Sequence, residues 1–168
     1  MDIQIVGLLP DGMSLKQKNL IVAALSLFKR YGFKKVSIEE ICRMAEVSKV
    51  TFYKHYKTKD ELIMFVVKLL FDNMWKEQKA ILASDMSIKD RFVKVSLLKQ
   101  ELLRDLGEEI LRSLLTYDAT KNYVEEFTAE VVTEFRELMI LEQKKGTINP
   151  KLRVDVRSEE RRVGKECR

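Results

Sequence analysis

Apolar residues recur along most of this chain at a helical period. Ile21, Ala24, Leu25 and Phe28 stand at i, i+3, i+4 and i+7, which predicts an amphipathic helix from Ser14 onward. It should stop at Tyr31-Gly32-Phe33, where Gly32 suits a left-handed closing position and Phe33 supplies the apolar contact after it. Before it lies a short apolar lead-in that ends in the turn signal Pro10-Asp11-Gly12. Ser37-Ile38-Glu39-Glu40 reads as a capping box for a second, short helix whose buried stripe is Ile38, Ile41 and Ala45. After a break at Glu46-Val47, Ser48 caps a third helix, Lys49 to about His55, with Phe52 and Tyr56 on its apolar side. Thr58-Lys59-Asp60-Glu61 is a second capping box and opens a stretch running to about Leu82. Ser87 starts another helix to about Leu106, Gly107 interrupts, and Glu108 to about Tyr117 is helical again. A last long helix is expected from Thr120 to Lys145, ended by Gly146 and the loop Ile148-Asn149-Pro150. No stretch alternates like a strand and no segment repeats. The expected class is all-α: an N-terminal three-helix unit followed by a helical bundle, roughly seven helices in total.

Composition narrows this picture. Only 2 Pro and 6 Gly in 168 residues fit long helices, and an apolar share of 46% is enough for a core. No apolar run approaches the roughly 18 residues of a membrane span, and Met1 to Met13 lacks the positive start of a signal peptide. Two Cys and one His supply neither a disulfide framework nor a four-ligand zinc site. The expectation is a cytoplasmic chain with no metal and no cofactor. Enzyme signatures are missing too: there is no Gly-rich phosphate loop, no nucleophile elbow and no Cys/His cluster.

The segment from Arg157 to Cys167 has one apolar aliphatic residue and no helical period. It resembles the in-frame translation of a sequencing adapter. The expectation is a non-native tail over 157–168 on a truncated gene, with the native chain open-ended at about Val156. Leaving the tail out, one Cys remains, Cys42.

Charge is unevenly spread. The whole chain carries +5, but residues 14–62 hold 11 Lys/Arg against 5 Asp/Glu, whereas residues 63–156 hold 15 against 16. The basic character thus belongs to the N-terminal helices, as it should if only they meet a polyanion. The second and third helices, short and joined by a few residues, have the layout of a helix-turn-helix. No position from 47 to 59 is acidic and four are Lys.

These residues resemble the TetR/AcrR family of bacterial repressors. The likeness runs through Ala23-Ala24-Leu25-Ser26-Leu27-Phe28, Tyr31-Gly32-Phe33 and Ser37-Ile38-Glu39-Glu40-Ile41. It continues through Val47-Ser48-Lys49-Val50-Thr51-Phe52-Tyr53-Lys54-His55-Tyr56 and Lys57-Thr58-Lys59-Asp60-Glu61-Leu62. It is close over residues 14–74, and beyond them rests on length, helicity and the Gly146–Pro150 loop. Two departures stand out. The turn begins with Glu46 where the family has Gly, and Val50 replaces a small Gly in the recognition helix.

The resemblance implies a DNA-binding domain over 14–74, with its helix-turn-helix at 37–56, and a truncated effector-binding and dimerisation domain over 75–156. It implies phosphate contacts from Lys59, Tyr53 and His55, with Ser37 and Ser48 at the helix starts, and base-edge contacts from Lys49, Val50, Thr51 and Lys54. It also implies an effector pocket among the later helices, for which Phe71, Met74, Trp75, Tyr117, Tyr123 and Phe127 are the bulky candidates. The function expected is a ligand-responsive repressor that binds a palindromic double-stranded DNA operator as a homodimer, released by a small-molecule effector. The alternative is a helix-turn-helix adaptor that binds protein instead of DNA.

Overall fold

The computed structural model of the chain describes residues 5–152. The suspected tail at 157–168 lies outside them. Among the described residues the regular structure is entirely helical: a 3₁₀ turn at Ile5–Leu8, then α1 (Leu15–Lys35), α2 (Ile38–Met44), α3 (Lys49–His55), α4 (Lys59–Leu82), α5 (Ile88–Leu106), α6 (Glu108–Thr116) and α7 (Asp118–Lys144). None of them is long and apolar enough to cross a membrane.

Caps set the starts. Ser14, Ser37, Ser48, Thr58 and Ser87 each accept a hydrogen bond from the backbone N–H three residues on, which supplies a donor the first turn leaves unpaired. The box expected at Thr58–Glu61 is modified. Glu61 accepts from the N–H of Lys57 at 2.6 Å, so its carboxylate holds the approach to α4.

The chain forms two compact units, one up to Val124 and one from Glu125 onward. The division expected after residue 74 falls inside the uninterrupted α4. The core of the first unit is built from α1 (Leu20, Ile21, Phe28), α2 (Ile41), α3 (Phe52) and α4 (Leu62, Ile63), all with no exposed surface. α6 adds Ile110 to the same core. In the second unit Met139 and Glu142 are buried, Glu142 pairs with Lys145 at 3.0 Å, and the Gln143 side-chain amide donates to the carbonyls of Asn149 and Leu152.

Two boundaries differ from the sequence reading. Gly32 has φ 75 but ψ 172, an extended backbone at positive φ and not the left-handed helical one expected, and helical structure resumes to Lys35. This conformation is all but closed to other residues. It turns the Phe33 N–H toward α6, where Ser113 Oγ accepts it at 3.1 Å. The last helix begins at Asp118, two residues before Thr120. Thr120 is fully buried, and its hydroxyl is satisfied by the carbonyls of Leu114 and Tyr117, so it locks the α6–α7 corner.

Candidate nucleic-acid interface

α2 and α3 are seven residues each, too short to persist without caps and a shared core. The Ser37 capping box is complete: the Glu40 N–H donates to Ser37 Oγ at 3.2 Å and the Ser37 N–H donates to Glu40 Oε2 at 2.8 Å. These bonds from Ser37 hold the Glu40 carboxyl below its ordinary pKa. Between the helices the Val47 N–H returns to the Cys42 carbonyl at 3.0 Å. Glu46 sits at φ 55, the only non-glycine residue at positive φ among those described. The turn therefore keeps its left-handed step without the expected glycine, at a cost of about 1 kcal/mol.

α3 is anchored by one side and open on the other. Phe52 is fully buried and Tyr56 nearly so, with ring centroids 5.9 Å apart. On the outer side Val50 is 80% exposed and Tyr53 53% exposed, and Lys54 is exposed as well. The Tyr53 ring meets the edge of Phe52 at 5.4 Å, which fixes the base of the side chain while its hydroxyl stays outside. Lys49 is exposed and ion-paired with Glu39 on α2. That pairing lowers the Glu39 pKa and raises that of Lys49. Thr51 and His55 are half-buried; Thr51 Oγ1 lies 3.1 Å from Ser48 Oγ and the His55 ring 6.5 Å from that of Tyr56. Of the residues expected to meet DNA, the structure brings Lys49, Val50, Tyr53 and Lys54 to one open face, with Ser48 at its start.

Lys59 is placed differently. Its ammonium donates to the carbonyls of Phe33 at 2.9 Å and Val36 at 2.8 Å, which closes the end of α1. Burial lowers its pKa. Two of its three donors are thus committed inside the protein, and one is left for a partner.

The bulky residues of the later helices are spread over α4, the α6–α7 corner and α7. Phe71 and Tyr123 are half-buried and in ring contact at 6.0 Å, with the Lys68 ammonium 5.7 Å over Tyr123. Met74 and Trp75 follow one turn along α4, with Lys79 over the Trp75 ring at 4.9 Å. Tyr117 lies against the N-terminal helices instead: its ring meets Phe33 at 5.7 Å and its hydroxyl donates to Asp60 at 2.6 Å. Phe127 is half-buried on the part of α7 that belongs to the second unit. A depression of about 530 Å³ lies between α1 and α2, lined by residues such as Leu27, Tyr31, Arg43 and Met44 and by none of the bulky candidates.

Sequence reasoning missed three of the contacts that organise this region: Glu39 with Lys49, Ser113 with Phe33, and Asp60 with Tyr117. None has a spacing that helical periodicity marks.

A capped three-helix unit that presents an open, lysine-bearing face on its third helix defines a helix-turn-helix protein. Residues 20–64 match the family described as bacterial regulatory proteins, tetR family. That match runs from α1 through the helix-turn-helix into the start of α4. The chain is also 32% identical over 60 residues to the uncharacterized HTH-type transcriptional regulator YuxN of Bacillus subtilis (strain 168). That match spans 36% of this chain and only 21% of YuxN. In fold the chain is similar to a Clostridium perfringens protein described as a fatty acid metabolism regulator, with TM-score 0.67 and 19% identity over 81% of this chain and 75% of that one. It is likewise similar to the fatty acid degradation regulator FadR of Bacillus halodurans, with TM-score 0.64 and 16% identity over 86% and 77%.

Proposed function

We propose that this chain is a DNA-binding transcriptional regulator, a repressor that responds to a small molecule, acts in the bacterial cytoplasm and is not an enzyme. The observation that carries the reading is the outer face of α3. Lys49, Val50, Tyr53 and Lys54 are exposed there together, on a helix anchored from behind by Phe52. A recognition helix needs this division between a rigid inner side and an open, cationic outer side. Lys49, Val50, Thr51 and Lys54 are the base-edge residues, while Tyr53, His55, Ser37, Ser48 and the remaining donor of Lys59 position the phosphates. As a homodimer the protein would set two such helices about 34–36 Å apart, matching a palindrome.

The effector is a largely apolar small molecule held among the helices after Leu62, near Phe71, Met74, Trp75 and Tyr123. Fatty acids are the first probes, because two proteins of similar fold carry fatty-acid regulation in their names. α4 is the natural lever, since it runs from the α3 junction into the effector region. By linkage, an effector that lowers operator affinity by some factor must itself be bound that much more weakly in the presence of operator.

The test is the salt dependence of binding to duplex DNA. Contact with several phosphates requires log K to fall with log salt at a slope of about −0.9 per phosphate. A slope of zero, or no binding to any duplex by the folded chain, returns the reading to a protein-binding adaptor.

A further inference from the structure

The first residue of the recognition helix does not face the groove alone. Lys49 Nζ is ion-paired with Glu39, which stands in the first turn of α2. The capping box uses Glu40 and not Glu39, so the cap does not require this carboxylate. Both side chains are more than half exposed, at 54% and 59%. A pair of this kind adds little to stability, so the fold does not depend on it.

We propose that Glu39 is a specificity-determining residue that acts through Lys49; the inference rests on the DNA-binding reading above. An ammonium has three donors. One held by Glu39 leaves two for the adjacent acceptors of a guanine edge, O6 and N7. Glu39 thus fixes the direction of a side chain that is otherwise a flexible point charge. It also cancels that charge. A neutral Glu–Lys pair still donates to neutral base acceptors, but it gains little from a phosphate and releases few counterions. Glu39 therefore sacrifices affinity for any duplex to keep preference for the right one, a penalty placed on the wrong partner.

Fluorescence anisotropy on the full chain tests this, with a duplex recovered by selection and a random duplex, each over a fourfold range of salt. E39Q should steepen the salt slope on the random duplex by about 0.9 per bound subunit. That corresponds to roughly a threefold gain at the low-salt end, and the ratio of selected to random affinity should narrow. In the K49A background E39Q should change neither quantity, whereas in the K49R background the response should persist. The inference is overturned if E39Q leaves slope and ratio unchanged, or if its effect is equally large in K49A, since Glu39 would then act on DNA itself. A wild-type chain that is helical by circular dichroism yet binds no duplex at any salt overturns the DNA-binding reading and this inference with it.

Discussion

The Tyr117 hydroxyl donates to the Asp60 carboxylate at 2.6 Å, across 57 residues of sequence. Asp60 is in the first turn of α4 and Tyr117 is the residue between α6 and α7. The bond therefore ties the helix that follows the recognition helix to the corner of the later helices. Burial and the Asp60 charge raise the Tyr117 pKa to about 12. A raised folded pKa means that the neutral phenol is favoured in the folded state. Its contribution is fully present below the ordinary tyrosine value of 10.0 and is lost as pH climbs through about 12.

Tyr117→Phe keeps the ring contact with Phe33 and removes only the donor. It should destabilise the chain by about 0.5–1 kcal/mol, a hydrogen bond to a charged group discounted for solvent. The stability lost between pH 10 and 12 should become smaller in the variant. Urea melts at pH 8, 10 and 11.5 measure both effects, and an unchanged pH profile would remove Tyr117 as its source.

Gly32 cannot carry a side chain. Its φ is 75, and a β-carbon there would stand 2.6 Å from Ser113 Oγ. That oxygen is itself held, donating to the Glu109 carbonyl at 2.8 Å and accepting from the Phe33 N–H. Gly32→Ala should cost roughly 2–4 kcal/mol, backbone strain together with overpacking. Gly32→Ala with Ser113→Ala should cost less than the two single changes added, because the second removes the atom that the first strikes. Strict additivity in denaturant melts would show that the clash is relieved some other way.

Glu46 offers the opposite case. It holds a left-handed φ of 55 and is exposed. Glu46→Gly should relieve the strain and stabilise the chain by about 0.5–1 kcal/mol, less the entropy that glycine adds to the unfolded chain. A melting temperature that falls would mean that the Glu46 side chain contributes more than its backbone costs.

The difference between these residues shows what was legible beforehand. Ser37, Ser48, Thr58 and Ser87 could be read as caps because each precedes an apolar-periodic run with an acid three residues on or a short helix behind it. The strain at Glu46 could be read because it occupies a turn that resembles one starting with Gly. The division of α3 into a buried Phe52 and an open Val50, Tyr53 and Lys54 follows from its helical period. The partners of Lys59, Ser113 and Tyr117 were not legible. They are set by how α1, α4 and α6 pack, and they join residues 23 to 80 positions apart. Grouping Tyr117 with the effector residues from its bulk alone therefore missed its tie to Asp60.

Lys59→Met tests the altered placement of that lysine. A lysine serving only as an exposed phosphate ligand could be replaced without loss of stability. Here the change leaves the Phe33 and Val36 carbonyls short of a donor. The expected cost is about 1–3 kcal/mol. Thermal melts of the free chain suffice, and a wild-type melting temperature would show that water replaces the ammonium without penalty.

The outer face of α3 predicts two distinct kinds of binding defect. Tyr53 is braced at its ring by Phe52 and offers only its hydroxyl, so Tyr53→Phe should weaken binding to every duplex by about the same factor. Lys54 is exposed on the outer side of α3, so it can reach a base edge. Lys54→Ala should change the preferred base at one position of each half-site. The expected loss is roughly 1–3 kcal/mol of discrimination if the contact is a bidentate one to guanine. Selection from a random duplex library with wild type and both variants separates the two. If Lys54→Ala returns the wild-type preference with only a lower affinity and a shallower salt slope, Lys54 binds phosphate, and reading falls to Lys49, Val50 and Thr51.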